Sequence, residues 1–345
     1  MKKQIFTARG AAAFLCAVLA SCADDAAINK VLGGYAEAPV FIGYKAASGT
    51  EIEFRFSVPV IVVDAYVDKD AEFEPFPDVY ESTVSLRFLS DHSGGKSVTA
   101  SFLVEDADGN SLSLLVPFKT RNDRLPELVI NEVRLDYTKP RAEFIELRTK
   151  NAGNLGAMRL FAASTSVEDA IYEFPPVEVG KDEYITLHLR TLDPSKEVDE
   201  LDENLKKSGA SNENDASDDA RDLWVPGSAK YMHTADVIYL LDQDDRIVDA
   251  LAIARSSSDW NKNKNVPNAA KFAANQRAWL DKNGEAVKAP DHADAADSLG
   301  TTPTRTLCRD ETKEDSDTMA DWYVCDTSGA TPGGKNSVKR YVPKA

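Results

Sequence analysis

Basic residues are scarce in this chain relative to acidic ones. Its 345 residues include 40 Lys and Arg against 57 Asp and Glu, which gives a net charge of −17 at pH 7. Binding to the phosphates of nucleic acids requires clustered Lys and Arg, so we expect no nucleic-acid partner. The acidic balance favours solubility and repels anionic surfaces unless cations bridge the two.

The sequence also lacks the short motifs of common catalytic and cofactor sites. It contains no G-x-S-x-G, H-E-x-x-H, P-loop or G-x-G-x-x-G pattern. The histidines, which are not spaced as metal ligands, are His92, His188, His233 and His292. We therefore expect no enzyme activity, no cofactor and no zinc site, and we expect each histidine to be at the surface or satisfied by its neighbours.

Cysteine is rare, and two of the 4 cysteines lie in an N-terminal targeting segment. Three basic residues precede a short apolar run, residues 10–20, which is too short to span a bilayer. The run ends in L-A-S-C, Leu19–Cys22, which resembles the lipobox of bacterial lipoproteins. That resemblance implies removal of a signal peptide, residues 1–21, and lipidation of Cys22; an ordinary cleaved signal peptide is the alternative. The net charge of the mature chain would be −20, because the removed segment contains three basic residues and no acidic ones and the full chain has a charge of −17.

The other two cysteines, Cys308 and Cys325, would be the only pair left in an exported, oxidising setting. We expect a disulfide between them, with two buried free thiols as the alternative. Residues 22–38 are mostly small and polar and are interpreted as a tether. The acyl chains on Cys22 would anchor the protein to a membrane of the cell envelope, the outer membrane or the cell surface being favoured over the outer face of the cytoplasmic membrane.

Residues 39–120 alternate apolar and polar side chains between turn signals. The stretch E-I-E-F-R-F, residues 51–56, has the period of two that is typical of a half-buried strand. Pro59 is expected to end that strand, because proline cannot donate to a sheet ladder. Further strands are predicted at 60–67, 83–89, 97–105 and 111–119, with a hairpin turn at Asp108-Gly109. Through F-S-V-P-V and V-E-D-A-D-G-N the segment resembles bacterial Ig-like domains, which implies a small β-sandwich.

A polar linker leads into a second unit, residues 126–341. It opens with a predicted hairpin at residues 127–150 and ends in T-P-G-G-K-N, residues 331–336. The unit resembles the lamin tail domain in the order of its motifs. These are I-N-E-V, E-F-I-E-L, L-x-x-M-x-L, I-V-D, an Arg-bearing strand, D-W and T-P-G-x-x-N. That resemblance implies a second Ig-like sandwich, so we expect an all-β chain of two tandem immunoglobulin-like β-sandwiches.

Two insertions interrupt the second unit, at residues 192–224 and 255–299. The first predicts a short charged helix at 196–207 and then a solvated acidic stretch at 210–222. The second predicts a helix at 267–281, which we expect to lie over an edge or end of the sandwich and to protect an open strand.

Tryptophan is also rare, and all four tryptophans lie in the second unit. Trp322, in D-W-Y-V, is predicted to be in the core. Trp224, Trp260 and Trp279 lie in or beside the insertions. They either cover the sandwich or form an aromatic surface that stacks on sugars or on a protein partner.

Acidic residues supply the remaining candidates for chemistry. Glu132, Glu143 and Glu146 would do general acid–base work if they met in a cleft. The favoured interpretation is structural, with these carboxyls accepting hydrogen bonds from the backbone or from an arginine such as Arg305. The acidic run at residues 310–317 is expected to be solvated charge.

A second acidic group is a weak candidate for calcium. Asp242, Asp244 and Asp245 are clustered carboxylates, which Ca²⁺ prefers, but the run lacks the glycine and the bidentate glutamate of an EF-hand loop. The lamin tail resemblance places a hairpin turn here, so turn chemistry is the favoured interpretation.

The favoured function is a non-enzymatic, lipid-anchored envelope module for interaction, adhesion or structure, with a protein or glycan partner. One alternative, implied by the lamin tail resemblance, is an accessory module of an extracellular nuclease or phosphatase. The other is a metal-dependent hydrolase.

Overall fold

The chain is all-β. A computed structural model describes residues 38–68, 71–201, 211 and 213–343, and these residues form eighteen β-strands, two α-helices and one 3-10 turn. The predicted signal peptide, the lipidation site Cys22 and most of the tether lie outside the described residues. In the described part, no helix is both long enough and apolar enough to cross a membrane.

The first β unit is a five-stranded antiparallel sheet. Its strands are β1 (Phe41–Ala46), β2 (Glu51–Val67), β3 (Glu81–Arg87), β4 (Ser97–Asp106) and β5 (Ser111–Lys119). They pair in the order β1-β2-β4-β5, and β3 also pairs with β2. Alternate residues of β4 are buried, so the period-two pattern directs one face of the sheet to a core. The predicted hairpin joins β4 to β5, where Gly109 has a φ of 83°, a conformation that suits glycine.

The long strand β2 changes partners at Pro59. Residues 52–56 pair with β1, whereas residues 60–67 pair with β4. Proline has no N–H to donate, and it lies where β2 passes from one partner to the other. The expectation that Pro59 ends the strand was therefore wrong, since the strand continues through it.

The second β unit contains thirteen strands in three sheets. These strands are β6 (Leu128–Arg134), β7 (Phe144–Thr149), β8 (Gly153–Asn154), β9 (Arg159–Ala162), β10 (Tyr172–Glu173), β11 (Glu178–Val179), β12 (Tyr184–His188), β13 (Arg221–Trp224), β14 (Asp236–Leu241), β15 (Ile247–Ala254), β16 (Ala296–Asp297), β17 (Leu307–Arg309) and β18 (Trp322–Val324). A six-stranded sheet has the order β13-β12-β7-β6-β17-β18, a five-stranded sheet has the order β10-β9-β14-β15-β16, and β11 pairs with β8.

The predicted opening hairpin is confirmed, because β6 and β7 pair antiparallel in the middle of the six-stranded sheet. Every residue of β6 is buried. One face of the hairpin carries Ile130, Val133 and Leu147 into the apolar core. The opposite face carries Glu132 and Glu146, so these acids are also removed from water.

Each unit has its own cluster of buried apolar side chains. The first lies within residues 52–118 and the second within residues 128–324. In the first cluster, the ring of Phe54 lies 4.7 Å from that of Phe102 and 5.6 Å from that of Phe118, centroid to centroid. Edge-on aromatic contacts of this kind add to the stabilisation from burial alone.

The second insertion supplies both helices, α1 (Ser257–Trp260) and α2 (Asn265–Asn275). Helix α2 starts two residues before the predicted helix and ends six residues earlier. It packs on β14 and β15. Only Ile253 and Ala254 of β15 pair with β16, whereas the N–H of Ile247, at the start of β15, donates to the side chain of Gln276 at the end of the helix at 2.9 Å. The expectation that this helix protects an open strand is therefore met only at Ile247.

The described part of the first insertion contains a strand and buried charged residues. Half of its predicted helix, residues 202–207, lies outside the described residues, and residues 196–201 are not helical. The end of the insertion forms β13, which pairs in parallel with β12. Arg221 and Asp222 are fully buried, so the expectation of a solvated stretch at 210–222 was wrong for these residues.

Replacing Phe54 with alanine should lower the free energy of unfolding by about 3–5 kcal/mol, because the change leaves a cavity among packed rings. Denaturant unfolding followed by circular dichroism would measure this loss. Leu115→Ala is the matched control, since Leu115 is 70% exposed, and it should change the free energy by less than about 0.5 kcal/mol. Equal effects of the two substitutions would contradict the core position of Phe54.

Candidate functional site

Glu132 and Glu146 lie directly opposite each other on β6 and β7, and both are 0% exposed. Burial disfavours the ionised form of a carboxyl group. It raises the pKa of Glu132 to about 7. Burial, together with the charge of Glu132, raises the pKa of Glu146 well above its ordinary value. Burial therefore shifts both carboxyl groups of this acid pair toward the protonated, neutral form.

The acid pair is covered by residues 331–336, the closing segment. The backbone N–H of Thr331 donates to both oxygens of Glu132 at 3.1 Å, and its hydroxyl donates to Oε2 at 3.1 Å. The N–H of Gly333 donates to Oε2 of Glu146 at 2.5 Å. The interpretation of these glutamates as structural acceptors of backbone hydrogen bonds is therefore confirmed, and their full burial leaves no space for a substrate.

Two asparagines extend the network to Glu311. The side-chain amide of Asn131 donates to Glu146 at 2.8 Å and to Glu311 at 3.1 Å. The backbone N–H of Asn336 donates to Glu311 at 2.9 Å, and the Tyr184 hydroxyl does so at 3.0 Å. Glu311 belongs to the run that we expected to be solvated, so that expectation was wrong here.

Arg305 is not the partner of the strand acids. Its guanidinium lies over the ring of Tyr341, 4.1 Å from the centroid. Glu143 instead accepts two 3.0 Å hydrogen bonds from Arg190, and Glu132 accepts a further hydrogen bond from the Thr306 hydroxyl. The prediction of a buried acid with an arginine partner holds for Glu143, with a different arginine.

The three calcium candidates have other partners. One carboxylate oxygen of Asp242 accepts the N–H groups of Asp244 at 2.8 Å and of Arg246 at 2.9 Å, as in an Asx turn. Asp244 binds Arg121 through two hydrogen bonds, and Asp245 forms an ion pair with Arg159. The favoured interpretation as a hairpin turn is therefore confirmed for Asp242, and arginines form ion pairs with the other two carboxylates.

A different trio of carboxylates has metal-ligand spacing in the part of the chain that is described, namely Asp249, Asp315 and Asp317. The guanidinium of Arg309 lies 2.8 Å from Asp249 and also forms an ion pair with Asp315. Arg309 therefore forms ion pairs with two of the three carboxylates, whereas burial raises the pKa of Asp317 to about 6. Sequence reasoning missed this trio, because Asp315 and Asp317 belong to a run expected to be solvated.

The tryptophans do not form a binding surface. Trp224, Trp260 and Trp279 are 5%, 2% and 1% exposed. The indole N–H of Trp279 donates to the carbonyl oxygen of Asp294 at 3.0 Å. The hypothesis of an aromatic surface was therefore wrong and the covering alternative is correct, because the insertions fold back onto the sheets. Trp322 is 8% exposed and belongs to the core cluster, as predicted.

His188 has a carboxylate partner that the sequence did not reveal. Its Nε2 lies 2.7 Å from Oδ1 of Asp222, and its ring stacks on Trp224 with centroids 3.8 Å apart. The parallel pairing of β12 and β13 places these residues together although they are 34 positions apart. Both members of the pair are buried, so it is a satisfied core histidine.

Cys308 and Cys325 are buried free thiols in this structure, not the predicted disulfide. The register of β17 and β18 places Cys308 opposite Tyr323, while the N–H of Cys325 donates to the carbonyl of Thr306. The two cysteines are therefore diagonal neighbours whose thiols are in hydrogen-bond contact. The Thr306 hydroxyl lies 3.5 Å from the sulfur of Cys308 and 3.2 Å from that of Cys325.

The linker between the units is bound to the second unit at Asn122. Its side-chain amide donates to the carbonyl oxygens of Asn154 at 2.7 Å and Gly156 at 2.8 Å. Its backbone N–H and carbonyl form hydrogen bonds of 2.8 and 3.0 Å with the side chain of Gln243. One linker residue thus makes four hydrogen bonds to the second unit.

Ion pairs and a close backbone contact complete this joint between the units. Arg124 forms two hydrogen bonds, of 2.8 and 2.6 Å, with Glu178 of the second unit. In the first unit, the N–H of Gly49 donates to Asp123 of the linker at 2.6 Å. A Cβ atom added to Gly156 would lie 1.6 Å from the carbonyl oxygen of Gly94, so the contact tolerates only glycine at that position.

Replacing Glu132 with glutamine should flatten the pH dependence of stability. The pKa of Glu132 rises from 4.5 to about 7 on folding, so its contribution is complete below pH 4.5 and is lost as pH rises through about 7. This shift corresponds to about 3 kcal/mol. Denaturant unfolding between pH 4.5 and 8 should show a smaller loss in the Gln variant than in the natural protein.

A control separates this effect from that of the other acids. Glu127→Gln changes an exposed residue at the start of the same hairpin, and it should leave the natural pH dependence intact. If Glu132→Gln lost as much stability with rising pH as the natural protein does, the description of the acid pair would be contradicted.

Comparison with known proteins places the second unit in a family. Residues 126–324 match the family model TP_1001_2nd, described as "protein second domain". A stretch of 151 residues is 30% identical to a Treponema pallidum (strain Nichols) protein described as uncharacterized. The match spans 42% of this chain and 37% of that protein, so it includes little more than a third of the relative.

Two solved structures show weaker likeness. A DUF4876 family protein from Bacteroides thetaiotaomicron VPI-5482 has a TM-score of 0.31 and 12% identity, over 83% of this chain and 92% of that one. The N-terminal part of the bacterial S-layer protein SbsC has a TM-score of 0.22 and 11% identity, over 67% of this chain and 46% of that one. Both scores are too low to support an argument about fold or function. The family match, which spans more than half of the chain, carries the assignment: the chain belongs to the TP_1001_2nd family.

Proposed function

We propose that the protein is a non-enzymatic, lipid-anchored module of the cell envelope that holds its second unit in a fixed orientation for interaction, adhesion or structure. Anchoring rests on the lipobox-like Leu19–Cys22. The outer membrane or the cell surface is the proposed location, and a protein or glycan is the proposed partner.

We further propose that the two units are tandem immunoglobulin-like sandwiches, the second of the lamin tail type. Two separate apolar clusters support the division into units. The closing segment supports the lamin tail proposal, because T-P-G-x-x-N makes its hydrogen bonds to the acids of I-N-E-V and E-F-I-E-L.

The joint is the observation that carries this function. A flexible linker would leave the units free to reorient, whereas here Asn122, Arg121 and Arg124 are each bound to the second unit. A fixed orientation suits a spacer that presents a surface at a set distance from its anchor. The burial of the hairpin acids supports a role other than catalysis.

Cys22→Ala should remove the anchor. The variant should lose incorporation of labelled palmitate and should move from the membrane fraction to the soluble fraction, because its N-terminus would no longer carry acyl chains. Cys16→Ala is the control, since Cys16 lies in the segment expected to be removed. Palmitate incorporation that survives in the Cys22 variant would refute lipidation at this position.

Loosening the joint should broaden the range of distances between the units. Spin labels at Ser111→Cys and Lys288→Cys, two exposed positions, should give a narrow distance distribution by electron–electron double resonance. Adding Asn122→Ala should broaden it, because four hydrogen bonds of the linker depend on the position of that residue. Asn283→Ala, on an exposed turn, is the control. A distribution equally broad in all three proteins would mean that the joint is flexible without this substitution.

A further inference from the structure

A cleft of about 430 Å³ lies beside the second insertion. It is bounded by the loop that follows β9, the loop before β14, and the connection between α1 and α2. The residues that line it are Ser164, His233, Thr234, Ala235, Asp259, Lys262, Asn263 and Lys264. Its volume is within the range of small-molecule sites.

A buried carboxylate fixes the walls of this cleft. Asp236 is 0% exposed and accepts hydrogen bonds from the N–H groups of Ser164 at 2.9 Å, His233 at 3.2 Å and Val237 at 2.8 Å. The Ser164 hydroxyl also donates to it. On the facing wall, the side-chain amide of Asn263 donates to the carbonyl oxygen of Ser164 at 2.8 Å. The cleft is therefore shaped before any ligand arrives, which lowers the cost of binding.

The cleft concentrates positive charge on an acidic protein. Lys262 and Lys264 line it, and Lys230 is close enough that its charge, like that of Lys262, lowers the pKa of His233 after the larger effect of burial. Within the described ranges, none of these three lysines forms an ion pair with a carboxylate. Two carboxylates oppose these lysines, Asp259 in the lining and the buried Asp236 behind it, so lysines outnumber aspartates at the cleft by three to two.

The first backbone amides of helix α2 already have hydrogen-bond partners, so the donors at the cleft are side chains. The N–H of Asn265 donates to the side chain of Asn263 at 3.0 Å, and the N–H of Val266 donates to its carbonyl oxygen at 3.1 Å. Pro267 has no N–H to offer. The first amides of the helix are therefore already used, and the lysine ammonium groups are the donors that face the cleft.

We propose that this cleft binds a small phosphorylated molecule of the phosphate monoester class. A phosphate monoester carries a charge close to −2 at neutral pH, which complements the excess of lysines over aspartates at the cleft. Lysine ammonium groups are common phosphate ligands. The Ser164 and Thr234 side chains and the Asn263 amide lie at the same cleft and would contact the rest of the molecule. This binding activity is independent of the envelope role and stands whether or not the chain is lipid-anchored.

Isothermal titration calorimetry of the full exported chain in zwitterionic detergent tests the proposal. The probes are inorganic phosphate, glucose 6-phosphate and acetate. Phosphate and glucose 6-phosphate should bind at millimolar concentrations or below. Acetate should bind at least about tenfold more weakly, because its single negative charge is attracted less strongly to the lysines than a double charge is.

A charge-matched pair of double variants locates the site. Lys262→Gln with Lys264→Gln should weaken binding of glucose 6-phosphate at least about tenfold. Lys282→Gln with Lys288→Gln makes the same change of charge at exposed positions of the same insertion and should weaken it by less than about twofold. Tryptophan fluorescence checks folding of both variants, because Trp260 and Trp279 are buried in this insertion.

Three outcomes would overturn the proposal. The first is absence of a binding signal from phosphate and glucose 6-phosphate at millimolar concentrations. The second is equal weakening by the two double variants, which would show general attraction to the protein surface. The third is acetate binding as tightly as phosphate, which would show a site without selectivity for a doubly charged anion.

Discussion

The hydrogen bonds between the buried acid pair and the closing segment are the interaction on which the second unit depends. They join residues that are 199 positions apart in the case of Glu132 and Thr331. A buried carboxyl group must be neutral, or must be surrounded by donors, to avoid a large desolvation penalty. The acid pair satisfies this requirement, since burial raises the pKa of both carboxyls and the closing segment supplies amide donors. The ends of the unit are thereby held together over the centre of its largest sheet.

Several other features follow from this arrangement. The second face of the six-stranded sheet is polar, so it is covered by segments that bring their own partners to it. Glu311 reaches Asn131 and Tyr184 there, and Asp215 reaches the buried Arg134. The charged stretches that cover this face are fixed in place, and the acidic residues that resembled a catalytic set are occupied by structural contacts.

Sequence patterns were informative wherever one face of a strand is apolar. The alternation in residues 111–119 predicts β5 with its observed bounds, and the opening hairpin was identified from its two apolar runs. The patterns failed where charge is buried. Arg134 pairs with Asp215 and Arg309 pairs with Asp249, residues that are 81 and 60 positions apart. A local sequence pattern cannot predict pairs at such separations. The burial of Trp260 and Trp279 has the same cause, because composition does not show onto which surface an insertion folds.

We expect Glu146 to be a neutral, structural acid at physiological pH, because burial and the charge of Glu132 raise its pKa well above the ordinary value. Infrared spectroscopy of the folded protein at pH 7, with and without ¹³C-labelled glutamate, tests it directly. We expect the carbonyl-stretching band of a protonated carboxylic acid, shifted by the label and weaker in Glu146→Gln, because Glu132, with a pKa of about 7, keeps part of the band. A spectrum that contains only ionised carboxylate bands at pH 7, or a protonated band that persists unchanged in Glu146→Gln, would contradict the account.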